Sequence, residues 1–152
     1  MKISNVVSKL PCGFKKTLVI EKECYNNTYR FVERNKEEFL KRKMKIAYGF
    51  FNTPALGGNL WIRHCFIIDS ESQALDITLL DKMNTKENRY IVFKTFDSVD
   101  ELLKIDEYMK DTSLSRYLVN YEKTELLKYV DENMKNLIAN SKYGNDVVLL
   151  NL

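Results

Sequence analysis

Apolar positions along this chain follow a helical period first, then a strand period, then a helical one again. From Cys24 to about Leu40, Cys24, Thr28, Phe31 and Val32 fall on one side. Arg30, Glu33, Arg34, Glu37 and Glu38 fill the remainder, which is the signature of an amphipathic helix. Asn35-Lys36 is the place where it would break into two. Lys45 to Phe51 (KIAYGFF) is rich in strand formers, and Asn52 to Asn59 (NTPALGGN) is a loop. Leu60 to Asp69 (LWIRHCFIID) is the strongest strand pattern. A turn over Ser70-Glu71-Ser72-Gln73 leads to a strand predicted over Ala74 to Leu80 (ALDITLL), and Arg89 to Phe96 (RYIVFKTF) alternates well as another. Short turns between such runs predict an antiparallel sheet. Residues 1–22 are poorly periodic and read as loop with at most one strand.

Past residue 96 the period returns to helix. Ser98-Val99-Asp100-Glu101 has the form of a capping box, followed by Leu102, Leu103, Ile105 and Met109 as a short amphipathic stretch. Leu126, Leu127, Val130, Met134, Leu137 and Ile138 form an apolar stripe of about four turns. Val147-Val148-Leu149-Leu150 reads as a strand or a docked terminus. The order predicts an α+β fold: an antiparallel sheet packed against an N-terminal helix, with C-terminal helices, in a single domain over 1–152.

Composition narrows the classes. A chain of 152 residues, 45% hydrophobic and 12% aromatic, has enough apolar surface for one core and is not a disordered polymer. Its +3 charge comes from 18 Lys and 6 Arg against 21 acids, a weak basis for nucleic-acid binding. No apolar run approaches the ~20 residues of a membrane span, and Met1-Lys2-Ile3-Ser4-Asn5 lacks the apolar stretch of a secretion signal. Three cysteines, Cys12, Cys24 and Cys65, are an odd number and argue for free thiols in a reducing cytoplasm rather than a disulfide framework. With a single His and no zinc spacing, neither a metal site nor a cofactor is expected.

His64 sits inside the best strand, where alternation places Leu60, Ile62, His64, Phe66 and Ile68 on one face. A lone His among apolar neighbours is more often structural than catalytic. Cys65 points to the opposite face as a small buried hydrophobe. Cys24 opens a predicted helix, where the unpaired N–H groups and the positive end of the macrodipole favour a thiolate. It reads equally well as a small residue of the helix's inner face, and Glu21 and Glu23 would oppose activation if their charges came close. Asp76 follows on the next predicted strand and could orient the imidazole. Two hairpin registers remain open. If Asp69 pairs with Gln73, Asp76 shares the face of His64; if Asp69 pairs with Ala74, Asp76 points away. Asp69 is the rival carboxylate, on the face opposite His64. Gly57-Gly58 reads as a connection, and Lys15-Lys16 and Lys41-Arg42-Lys43 as solvated faces.

Cys24-Tyr25-Asn26-Asn27, Tyr48-Gly49-Phe50, His64-Cys65-Phe66 and Leu75-Asp76-Ile77-Thr78 occur in an order that resembles the papain-like, transglutaminase-like cysteine hydrolases. More narrowly, they are similar to small bacterial and phage proteins with a pattern like C-Y-x-N … Y-x-G-Y/F … H-A-W … v-x-D-x-T. The resemblance implies a papain-like core over about 20–96, with Cys24 as nucleophile, His64 as general base and acid, and Asp76 as orienting residue. This sequence has Cys65-Phe66 where the pattern has Ala-Trp, Ile77 where Pro is common, and no Gln before Cys24 to serve as an oxyanion donor. The implied activity is a thiol hydrolase or acyltransferase acting on an amide or ester of a protein or peptide. Two other readings are a degenerate scaffold of the same fold that engages a protein partner, and a small nucleic-acid-binding protein supported only by charge.

Overall fold

Asn35 divides the N-terminal helical stretch into α1 (Cys24–Arg34) and α2 (Lys36–Lys41). The computed structural model describes residues 2–56, 60–80, 85–101 and 147–149. In α1 the buried residues are Asn27, Thr28, Phe31 and Val32, one stripe at helical spacing. The break follows from the side chain at position 35. The Asn35 amide donates to the Phe31 carbonyl at 2.9 Å and grips the backbone of Lys15 from both sides, donating to its carbonyl at 2.9 Å and accepting from its N–H at 2.6 Å. A side chain that bonds backbone in this way competes with helix continuation.

Six strands form one curled, antiparallel sheet: β1 (Lys2–Ile3), β2 (Lys45–Asn52), β3 (Leu60–Ile68), β4 (Ala74–Leu75), β5 (Arg89–Phe96) and β6 (Val147–Leu149). The order is β1-β5-β2-β3-β4, with β6 also on β3. β4 pairs with Ile67 and Ile68 and β6 with Leu60 to Ile62, so both occupy the side of β3 away from β2. Residues 63–66 lie between these two pairings, and there Thr28 of α1 donates to the Cys65 carbonyl at 3.3 Å.

Strand alternation sorts the core into two layers. Ile46, Tyr48, Phe50, Trp61, Cys65 and Ile67 face α1 and pack with Phe31, Val32 and Phe39. Ala47, Phe51, Phe66, Ile68, Tyr90 and Val92 form the second layer on the other face. Gly49 lies in β2 where the β2–β5 register shifts between Tyr48 and Gly49. A Cβ there would stand 1.7 Å from the Ile91 carbonyl oxygen, so the close approach of β5 requires glycine.

The strand predicted over Ala74 to Leu80 is a correction: β4 ends at Leu75. Asp76 turns the chain by accepting the N–H groups of Thr78 at 3.1 Å and Leu79 at 3.3 Å on Oδ1. Such an Asx-type turn wins over the continuing apolar alternation. The capping box survives in part: Glu101 N–H donates to Ser98 Oγ at 3.1 Å, and the Glu101 carboxylate accepts from Asp97 N–H at 2.7 Å. The helices predicted beyond it lie outside the described residues, as does Gly57-Gly58. Among the described residues no helix is long and apolar enough to cross a membrane.

Candidate active site

The β3–β4 hairpin decides which face Asp76 takes. Asp69 N–H donates to the Gln73 carbonyl at 3.1 Å, and Ile68 pairs with Ala74 and Ile67 with Leu75. This is the register in which Asp76 shares the face of His64. His64 Nε2 stands 2.7 Å from Asp76 Oδ2, with both side chains buried. Tyr90 donates its hydroxyl to the same Oδ2 at 2.8 Å. Oδ1 holds the two backbone N–H groups of the turn, so the carboxylate accepts four hydrogen bonds. A buried carboxylate is tolerable only with partners of this kind.

The imidazole lies in an aromatic setting. Its ring centroid is 4.7 Å from that of Phe51, 6.2 Å from Phe66 and 6.4 Å from Tyr90. Its cross-strand partner in β2 is Gly49, which brings no side chain into that space. Burial alone would depress the His64 pKa. The Asp76 charge and hydrogen bond, joined by the Cys24 thiol, outweigh burial and raise it from 6.5 to about 10. The imidazolium is therefore the favoured form of this ring at neutral pH.

Cys24 comes from the other direction, at the first residue of α1. Glu23 is the N-cap, yet its side chain makes no cap hydrogen bond. It turns instead to Arg30 at 3.7 Å and to the Asn26 amide at 3.5 Å, so its charge is directed along the outer side of the helix. The first turn of α1 contains no acid, which leaves its N–H groups and positive dipole end at Cys24. Lys22, at φ 64°, makes the sharp entry, with Glu23 N–H bonded to the Ile20 carbonyl at 3.3 Å. Since Nε2 is held by Asp76, Nδ1 is the imidazole atom that remains for the thiol. Cys24 is half-buried, Cys12 exposed and Cys65 buried, and all three are free thiols. Burial pushes the Cys65 thiol up, which keeps it neutral.

Asn27 and Thr78 tie the two halves together. Asn27, fully buried, accepts the Ile20 N–H at 2.9 Å and donates to the Ile20 carbonyl at 2.8 Å and to Thr78 Oγ1 at 3.1 Å. The helix that carries Cys24 is thus bonded to the turn that carries Asp76. Both residues belong to the quoted motifs, the Asn of C-Y-x-N and the Thr of D-x-T, although neither was a candidate by its chemistry. Tyr90 was missed altogether, since a tyrosine in an alternating strand carries no signal beyond strand preference.

The structure brings Cys24, His64 and Asp76 together and leaves Asp69 apart. Asp69 Oδ1 accepts the Glu71 N–H at 2.9 Å and the Gln73 N–H at 2.8 Å, and so holds the hairpin turn. Among the described residues no group of three or more His, Cys, Asp or Glu side chains is placed to hold a metal ion. Comparison of the chain with protein-family models, with curated proteins and with solved structures returns no match.

Proposed function

We propose that this chain is a thiol hydrolase or acyltransferase acting on an amide or ester, on a papain-like, transglutaminase-like core. The observation that carries the reading is the buried 2.7 Å contact between His64 and Asp76, with the Cys24 thiol acting on the same imidazole from the start of α1. Nucleophile, base and orienting group are then in the order that acyl transfer needs.

In the reaction, the proton of Cys24 Sγ already rests on His64 Nδ1, and the sulfur attacks the carbonyl carbon. The oxyanion that forms draws on the N–H groups at the uncapped start of α1. Imidazolium returns the proton to the leaving amine or alcohol as the tetrahedral species collapses to a thioester. A water or an acceptor amine, deprotonated by Nδ1, then attacks the thioester and expels Cys24 Sγ, which releases the acid or the new amide and restores the sulfur beside a protonated imidazole. Asp76 stays ionised and holds the imidazole through Nε2.

Mass spectrometry tests this directly. Near neutral pH, iodoacetamide is expected to label Cys24 well before exposed Cys12, and to leave buried Cys65 untouched. An activated aryl acetate is expected to leave an acetyl group on Cys24 that hydroxylamine removes. Labelling of Cys24 no faster than Cys12, with no acetyl adduct, refutes the enzyme reading and leaves the scaffold one.

A further inference from the structure

Asp76 Oδ2 accepts two hydrogens, one from His64 and one from Tyr90. The Tyr90 hydroxyl has its direction fixed. The Asn88 amide nitrogen approaches its oxygen at 3.5 Å as a donor, so the phenolic hydrogen is the one that points to Asp76. The ring is fully buried, 4.6 Å from Phe66 and 6.3 Å from Phe51 between centroids. Burial, and then the Asp76 charge, push the phenol far above its ordinary range, so it remains a donor at every accessible pH. Tyr90 reaches the site from β5, across β2, on the face it shares with His64. Bare Gly49 lies opposite His64 and keeps that space open.

We propose that Tyr90 is a positioning residue that acts through Asp76: by donating to the same oxygen as His64, it limits how tightly the carboxylate holds the imidazolium. The proposal rests on the acyl-transfer reading for its purpose. A carboxylate oxygen with His64 as its only partner would concentrate its charge there and make the imidazolium a poor acid toward the leaving group. A second donor on that oxygen draws off part of the charge. Among the described residues, the ionisable groups acting on the ring are Asp76 from the turn after β4 and Cys24 from α1, with Tyr90 from β5 reaching it through Asp76.

His64 is the sole histidine of the chain, so its imidazole is read without ambiguity by NMR of histidine-labelled protein. In Tyr90→Phe the apparent His64 pKa is expected to rise by ~1 unit relative to wild type, because an opposing donor is lost. Replacing Tyr90 by 3-fluorotyrosine makes a stronger donor of nearly the same size, and the His64 pKa is expected to fall. A purely structural tyrosine does not give shifts of opposite sign. If Tyr90→Phe fails to fold, the fluorinated protein, which keeps the hydroxyl, carries the test. An unchanged His64 titration in either folded variant overturns the proposal, whatever the reactivity of Cys24. Opposite shifts with an unreactive Cys24 uphold the Tyr90–Asp76–His64 coupling and overturn the enzyme reading instead.

Discussion

Asp76→Asn perturbs the point where four donors converge: His64 Nε2, the Tyr90 hydroxyl, and the N–H groups of Thr78 and Leu79. An amide offers one carbonyl oxygen in place of two carboxylate oxygens, and its NH2 adds donors where acceptors are needed. The backbone N–H groups cannot turn away, so the carbonyl stays with them and the NH2 faces His64 and Tyr90. Two buried donors then lose their acceptor, at about 1–3 kcal/mol each, or roughly 2–6 kcal/mol before relaxation. Some of this is recovered. Asn88 Oδ1 is buried without a partner and can accept the Tyr90 hydroxyl after a small rotation. His64 can move its hydrogen to Nδ1 and accept from the new amide. A net loss of about 2 kcal/mol is therefore expected. The recovery has a chemical consequence, because it places a hydrogen on the nitrogen that must serve as base to Cys24. Acyl transfer is expected to fall by roughly 10²-fold or more. Urea unfolding followed by the fluorescence of Trp61, the sole tryptophan, gives the stability, and the alkylation rate of Cys24 against pH gives the reactivity. Asp69→Asn is the control. Asp69 accepts only backbone N–H groups on one oxygen, which an amide serves equally, so a change within about 0.5 kcal/mol is expected. Unaltered stability together with an unaltered alkylation profile in Asp76→Asn refutes the reasoning. A profile moved by Asp69→Asn alone shows that the wrong carboxylate was assigned.

Three further outcomes follow from the geometry. Gly49→Ala sets a Cβ 1.7 Å from backbone that has no flexible end to give, so β2 and β5 must part, and a loss of about 3 kcal/mol or more is expected in thermal or urea unfolding. Asn27→Ala orphans the Ile20 N–H and carbonyl together with its contact to Thr78; about 2–4 kcal/mol of stability is expected to go, with slower Cys24 alkylation in the folded fraction. The His64 pKa is higher folded than unfolded, so its stabilisation is complete below about pH 6.5 and is lost as pH rises to about 10. Urea midpoints should decline across that window in wild type and flatten in Asp76→Asn; a flat wild-type profile contradicts the His64–Asp76 coupling.

Much of the scaffold was legible because it rests on local periodicity. Helix α1 and its break at Asn35 show in one apolar and one polar face, and strands β3 and β5 in long runs of strand-forming residues that are buried on both faces. The segment from Ala74 to Leu80 misled for the same reason: its alternation continues, while a buried carboxylate captures the backbone at Asp76. The register was illegible for a subtler cause. Residues 70–72 form a three-residue hairpin loop ending in the left-handed conformation, Ser72 at φ 59°, a position where Gly or Asn would have announced the turn. Tyr90 and Asn27 could not be found by local reasoning. Tyr90 meets Asp76 from a strand beyond β2, and Asn27 meets Thr78 across 51 residues.

That hairpin makes the site a matter of parity. His64 and Asp76 are 12 positions apart, joined through a hairpin whose pairing register fixes the side of the sheet on which residue 76 emerges. A one-residue slip of that pairing would deliver the carboxylate to the layer under α1, away from the imidazole, while every named side chain stayed in the chain. Possession of Cys, His and Asp is, then, an incomplete criterion for such a site. What assembles the site is the pairing of Ile67 with Leu75 and Ile68 with Ala74, which carries His64 and Asp76 to one side of the sheet, so that the chemistry depends on a backbone register that none of the three side chains encodes.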